Sequence, residues 1–152
     1  MQPEKYRSYA RVGLLTSLAA VGSFLKIPSP LGSIALDSAP GYFASLISLK
    51  EGALVAALGH LFSAYTGGFP LGALHGVIAI YMSFCAVVFG RLSRVHVLIA
   101  ILVATFLNGV VGSFLVYPIG GLPMVLAIMP FLTLASAVNV VVAALVRGRL
   151  KA

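Results

Sequence analysis

The sequence predicts an all-α, polytopic membrane protein: one domain over residues 1–152, a bundle of six transmembrane helices with both termini in the cytoplasm. Three observations predict it. First, 61% of the 152 residues are hydrophobic, against roughly 45–50% in a soluble domain. Second, only 9% are charged, too few for a small domain that must cover a large surface with polar groups. Third, the few charges are segregated along the chain in a way that fits six crossings.

A crossing of about 30 Å of hydrocarbon takes about 20 helical residues. Uncharged stretches occur at 12–25, 39–49, 52–65, 74–90, 95–116 and 122–146; the second and third are short. Lys26-Ile27-Pro28-Ser29-Pro30-Leu31-Gly32 ends the first, because its prolines cannot donate and restrict their predecessors. Similar Pro/Gly breaks stand at 66–72 and 117–123. Lys50-Glu51 and Arg91-Leu92-Ser93-Arg94 read as tight charged turns. The two kinds of break alternate. Lys5, Arg7, Arg11, Lys50, Arg91, Arg94, Arg147, Arg149 and Lys151 fall on one side of a six-span layout, and Lys26 alone falls on the other. The positive-inside rule makes the first side cytoplasmic and gathers the three Pro/Gly loops outside. A cleavable leader ending near Ala20–Ser23 is the rival reading of the start, but its removal leaves an odd number of spans and spoils the alternation.

The net charge of +7 is therefore an orientation signal. It forms no basic stripe of the kind nucleic acid requires. The single cysteine, Cys85, rules out an internal disulfide and any multi-cysteine metal site, and reads as a small buried apolar residue. Three carboxylates leave little for acid/base chemistry, and there is no phosphate-cradling G-x-x-x-x-G-K-[ST], no H-E-x-x-H and no G-x-S-x-G. The expectation is a protein that is not an enzyme and carries neither cofactor nor metal.

Polar groups inside a bilayer are costly and mark function by default. His60 and Ser63 lie one turn apart in the third segment. His75 begins the fourth, with Tyr81 further in. Asn108 sits in the fifth and Asn139 in the sixth. Asp37-Ser38 closes the first outer loop, and Tyr117 opens the last. Each is a candidate substrate contact and each has a plain alternative. The histidine and the two amides can bond neighbouring helices, Tyr81 can pack, and Asp37 or Ser38 can cap the second helix with Pro40 in its first turn. Glu51 is expected to pair or cap near Lys50, and His96 to lie on the cytoplasmic surface. Gly13, Ser17 and Ala20 on the first helix, and Gly52, Ala56, Gly59 and Ser63 on the third, have the small-residue spacing that lets another helix approach. A partner subunit is one expected reason.

Residues 26–44, Lys-Ile-Pro-Ser-Pro-Leu-Gly-Ser-Ile-Ala-Leu-Asp-Ser-Ala-Pro-Gly-Tyr-Phe-Ala, resemble the first loop and short second helix of the S components of energy-coupling-factor (ECF) transporters. Gly52, Gly59-His60 and Gly67-Gly68 extend the likeness, as do length and span count. The Pro-Ser-Pro-x-Gly-Ser-Ile-Ala-Leu-Asp-Ser-Ala-Pro run, with Gly-His-Leu-x-Ser-Ala and Gly-Phe-Pro-Leu-Gly, is similar to the α-ribazole transporters of cobalamin salvage. The resemblance implies a multi-pass subunit of the cell membrane that binds a vitamin or vitamin precursor from outside. Its partners would be a transmembrane coupling protein and two ATPase subunits, which use the ATP. Family docking through an Ala-x-x-x-Ala face on the first helix maps onto Gly13 and Ser17, both still small. Nickel and cobalt members begin Met-His; this chain begins Met-Gln, which speaks against metal uptake. The residues suit an uncharged aromatic solute with hydroxyls, stacked on Phe and Tyr. The alternatives are an S component for pantothenate, pyridoxine or riboflavin, and a stand-alone channel or facilitator.

Overall fold

The computed structural model describes residues 3–29 and 32–150. The Met-Gln start, Pro30, Leu31 and Lys151 lie outside them. The chain forms α1 (Pro3–Gly22), a hairpin of β1 (Lys26–Ser29) and β2 (Gly32–Ala35), then α2 (Ala39–Ile47), α3 (Leu49–Thr66), α4 (Leu74–Leu92), α5 (Val97–Thr105) and α6 (Tyr117–Leu150). Two stretches, Leu74–Leu92 and Val97–Arg149, are long and apolar enough to cross a membrane. The nine residues of α2 reach about 14 Å at 1.5 Å each, half of the hydrocarbon thickness.

The first Pro/Gly break is more ordered than expected. Lys26 pairs with Ala35, Ile27 with Ile34, Pro28 with Ser33 and Ser29 with Gly32 in an antiparallel hairpin. The N–H of Leu36 donates to the carbonyl of Leu25 at 2.8 Å, which continues the ladder. Proline is compatible with a two-stranded ribbon because every strand in it is an edge. The break at 117–123 narrows to one residue. Gly121 has φ 61° and ψ −162°, a region open essentially to glycine alone, and Pro123 follows it in the first turn of the long helix, where no N–H is needed.

The connection between α2 and α3 also differs from expectation. Lys50 and Glu51 are inside the first turn of α3, and the break is the extended Ser48 (φ −145°, ψ 128°). Glu51 faces α1 and not Lys50. Arg11 donates to it through Nε at 2.9 Å and Nη2 at 2.6 Å, and Ser8 Oγ donates at 2.7 Å. The guanidinium fork matches the carboxylate geometry, which Lys50 would not. This clasp sits beyond the apolar stretches at 12–25 and 52–65, and Arg11 beside it holds the Glu51 carboxyl below its ordinary value of 4.5. A depressed carboxylate stabilises the fold above its unfolded pKa, and that contribution is lost as pH falls through the folded pKa. The melting temperature of the wild type is expected to exceed that of Glu51→Gln near neutrality. The gap should close as pH is lowered below 4.5 in a thermal-shift series.

Helices α1, α2, α3 and α4 pack closely because small residues stand at their crossings. A Cβ on Gly59 would lie 2.8 Å from Ala19 Cβ, and one on Gly41 would lie 2.8 Å from the backbone of Ala56. The core gathers Tyr42, Met82, Cys85, Phe89, Ala100, Ala104 and Val140. Tyr42 meets Phe89 edge to face at 5.3 Å. The outside is apolar: Leu14, Val21, Phe24, Ile80, Leu102 and Leu145 are each more than half exposed. Such a surface requires a hydrocarbon solvent or partners.

Between α5 and α6 the chain leaves regular α geometry. Phe106–Val111 is a π-helical turn and Gly112–Val116 a 3₁₀ segment. Inserted π turns in helices are frequent at functional sites.

Candidate functional site

The hairpin, the Asp37-Ser38 junction, the C-terminal half of α3, the N-terminal half of α4, the π turn and α6 enclose a cavity of about 360 Å3. Its wall follows helical spacing. His60, Ser63, Ala64 and Gly67 form one stripe on α3. His75, Ile78, Tyr81 and Met82 form one on α4, and Ile128, Leu132, Ala135, Ser136 and Asn139 one on α6. These are i, i+3, i+4 rows, the geometry of one helix face.

Eight of the nine residues singled out from sequence (Asp37, Ser38, His60, Ser63, His75, Tyr81, Asn108 and Asn139) line this cavity. Tyr117 does not. It precedes the Gly121 kink and is 55% exposed. His96 is exposed at the start of α5, remote from the wall. Lys26, Ser29, Ser113 and Ser136 also line the cavity and were not among those nine. Ser136 is legible in retrospect, because it lies one turn before Asn139 on the same face. Lys26 was legible as the lone cation on the side of the Pro/Gly loops, and Ser29 was not, since it is the hairpin pairing that brings it to the wall.

The polar groups are organised. Ser38 Oγ donates to Asp37 Oδ1 at 2.8 Å, so neither side chain caps α2. The cap comes from across the bundle. Asn139 Oδ1 accepts from the backbone N–H of Ser38 at 3.2 Å and of Ala39 at 2.9 Å, while its Nδ2 donates to the Ala135 carbonyl at 2.9 Å. The first N–H groups of a helix lack internal partners, and in a buried position an amide oxygen must supply what water cannot. Tyr81 donates its hydroxyl to the Leu107 carbonyl at 2.7 Å, which also accepts from the N–H of Gly112, the residue that caps the π turn. His60 Nε2 and His75 Nδ1 are 3.1 Å apart. Asn108 is buried and lines the cavity, and its side chain makes no hydrogen bond with the described residues.

Chemically, the wall offers one carboxylate, one ammonium, two imidazoles, amides and hydroxyls on a largely aliphatic surface. Tyr81 is its one Tyr or Phe ring, so the aromatic stacking expected from sequence rests on that residue. Phe69 packs instead behind His75, at 5.7 Å and 73°. Among the described residues no group of three His, Cys, Asp or Glu side chains is placed to hold a metal ion.

The small-residue stripes separate. Gly52, Ala56 and Gly59 of α3 are buried at internal crossings, where they meet Ser45, Gly41 and Ala19. Gly13 and Ser17 are exposed, and a Cβ on Gly13 would meet nothing. With Val12, Thr16, Ala20, Leu58 and Phe62 they line an open groove.

The fold has a counterpart. The structure of the S component of a bacterial ECF transporter superposes with a TM-score of 0.71 at 20% identity, covering 97% of this chain and 96% of that one. No curated protein matches the sequence. The family model for the substrate-specific component of ECF transporters matches residues 7–150. With nearly the whole length matched, the chain belongs to the ECF transporter substrate-specific components.

Proposed function

We propose that this subunit captures α-ribazole, a benzimidazole riboside used in cobalamin salvage, from outside the cell. It hands the solute to an ECF module of one coupling protein and two ATPases. The observation that carries this reading is the composition of the cavity: about 360 Å3, with one acid, Asp37, one base, Lys26, and every other polar lining group neutral or titratable to neutral. That volume is at the small end of small-molecule sites, which run roughly 300–1,000 Å3. It favours a vitamin fragment over an intact corrinoid, and a near-neutral solute over an anion such as pantothenate. Asp37 and Ser38 suit ribose hydroxyls as acceptors. Asn108, with both amide functions available, suits a ring nitrogen or a hydroxyl. Tyr81 supplies a ring face, and Ser63 and Asn139 complete the polar wall.

The subunit is read as a multi-pass protein of the cell membrane with six crossings and cytoplasmic termini. It needs no cofactor of its own. The groove at Gly13, Ser17 and Ala20 is the docking face for the coupling protein. In liposomes, labelled α-ribazole is expected to accumulate only when the chain is reconstituted with the coupling protein, both ATPases and ATP. Unlabelled α-ribazole should compete, and pantothenate, pyridoxine and riboflavin should not. Flux through the chain alone would favour a facilitator and overturn the assignment.

A further inference from the structure

We propose that His60 Nδ1–H is the hydrogen-bond donor by which the cavity recognises its solute, and that His75 is a positioning residue that fixes this tautomer. The inference rests on the reading of the cavity as a solute site. It specifies the solute's chemistry at this point: a neutral acceptor, either a carbonyl oxygen or an unprotonated ring nitrogen.

The N–H of Leu71 donates to His75 Nε2 at 3.3 Å. A nitrogen that accepts carries no proton, so the neutral ring of His75 carries its proton on Nδ1. That Nδ1 lies 3.1 Å from His60 Nε2. Because Nδ1 of His75 donates, Nε2 of His60 accepts, and the proton of His60 must be on its own Nδ1. One backbone N–H thus sets both rings in the Nδ1–H form, the opposite of the Nε2–H form that free histidine prefers. Hydrogen bonds at one imidazole nitrogen commonly define the role of the other. His60 Nδ1 has no acceptor among the described residues, and His60 lines the cavity. The donor is left for what the cavity holds.

A second observation supports His75 as a held group. Phe69 sits edge-on to its ring at 5.7 Å, and does so with φ 50°, a strained conformation for a residue with a Cβ. The N–H of Phe69 donates to the Ala64 carbonyl at 2.8 Å, anchoring that turn. The turn at Gly67–Leu71 therefore supplies both the ring that braces His75 and the N–H that sets its tautomer.

The first test is two-bond 15N–1H correlation spectroscopy of 15N-histidine-labelled protein in nanodiscs near neutral pH. The signals of the three histidines are assigned with His60→Gln, His75→Phe and His96→Gln. His60 and His75 are both expected with Nδ1 protonated and Nε2 bare. In His75→Phe, which keeps a ring against Phe69, His60 should revert to Nε2–H. A wild-type His60 protonated at Nε2, or one unmoved by His75→Phe, would overturn the relay.

The second test is calorimetric titration of the variants with the tightest binder among α-ribazole, pantothenate, pyridoxine and riboflavin. His60→Asn keeps an amide N–H near the Nδ1 position and should bind close to wild type. His60→Gln places its amide where Nε2 stood and should lose about tenfold in affinity, the worth of one hydrogen bond. Equal affinities of the two variants would overturn the donor role while leaving the cavity a solute site. If no solute in the set binds the wild type, the transport reading and the recognition role fail together, and the spectra still decide the relay.

Discussion

Gly13→Trp and Ser17→Trp are expected to abolish co-purification with the coupling protein while leaving solute affinity within about twofold of wild type, as exposed substitutions generally do. Both positions are exposed on α1, and a Cβ at residue 13 meets nothing within 4 Å. They lie in an open groove with Thr16, Ala20, Leu58 and Phe62, on a different set of residues from those lining the cavity. In lipid, helices associate through close packing of small residues and not through exclusion of water, so an indole there removes the approach itself. Gly59→Val is the control from the other stripe. Its Cβ would fall 2.8 Å from Ala19 Cβ, and overpacking of this kind costs about 1–3 kcal/mol. Gly59→Val should lower the melting temperature, and the two tryptophan variants should not. Normal pull-down of the coupling protein by Gly13→Trp would remove this face from the docking surface.

Asn139→Ala is expected to weaken both the fold and the site. The Asn139 oxygen serves two N–H groups at the start of α2, in a region where Ser38 is 8% and Asn139 3% exposed. Loss of a cap costs about 1 kcal/mol, and a buried donor left unpaired costs about 1–3 kcal/mol. A fall of about 2–4 kcal/mol is the expected sum. Asp37, Ser38 and the hairpin approach the cavity through this junction, so solute affinity should fall with it. Asn139→Asp keeps an acceptor at a helix N-terminus, where negative charge is favoured, and should recover part of the loss. Hydrogen exchange at the Ser38 and Ala39 amides reads the effect directly. Protection should vanish in Asn139→Ala and persist in Asn139→Asp. Unchanged protection in the alanine variant would show that Asn139 is not the cap.

The contrast between the two stripes shows what was legible in the sequence. Gly13-x-x-x-Ser17 and Gly52-x-x-x-Ala56 have the same spacing. Spacing assigns residues to a face of a helix, but not the direction in which that face points. The cavity rows on α3, α4 and α6 were legible for the complementary reason. His60, Ser63, His75, Tyr81 and Asn139 are costly in hydrocarbon unless turned inward, so polarity supplied the direction that spacing lacks. Tyr117 is exposed and outside the cavity wall; tyrosine is tolerated at a membrane interface, so its polarity supplies no direction. The Glu51–Arg11 clasp joins residues 40 positions apart, and the Asn139 cap spans 100. Contacts of that range are decided by helix packing, and a local reading defaults to the nearest partner, Lys50 or Asp37-Ser38. The hairpin was hidden by its prolines, which mark a break whether or not the flanking residues pair.

This subunit alone, without ATP or partners, is expected to bind one near-neutral solute in the cavity between the hairpin and α6. Isothermal titration of the purified chain with α-ribazole, pantothenate, pyridoxine, riboflavin and cobalamin tests it most directly. One-to-one binding of α-ribazole with nanomolar-to-micromolar affinity is expected, weakened in Asn108→Leu and Asp37→Ala. Absence of binding across the set, or tight binding unaffected by both substitutions, would contradict it.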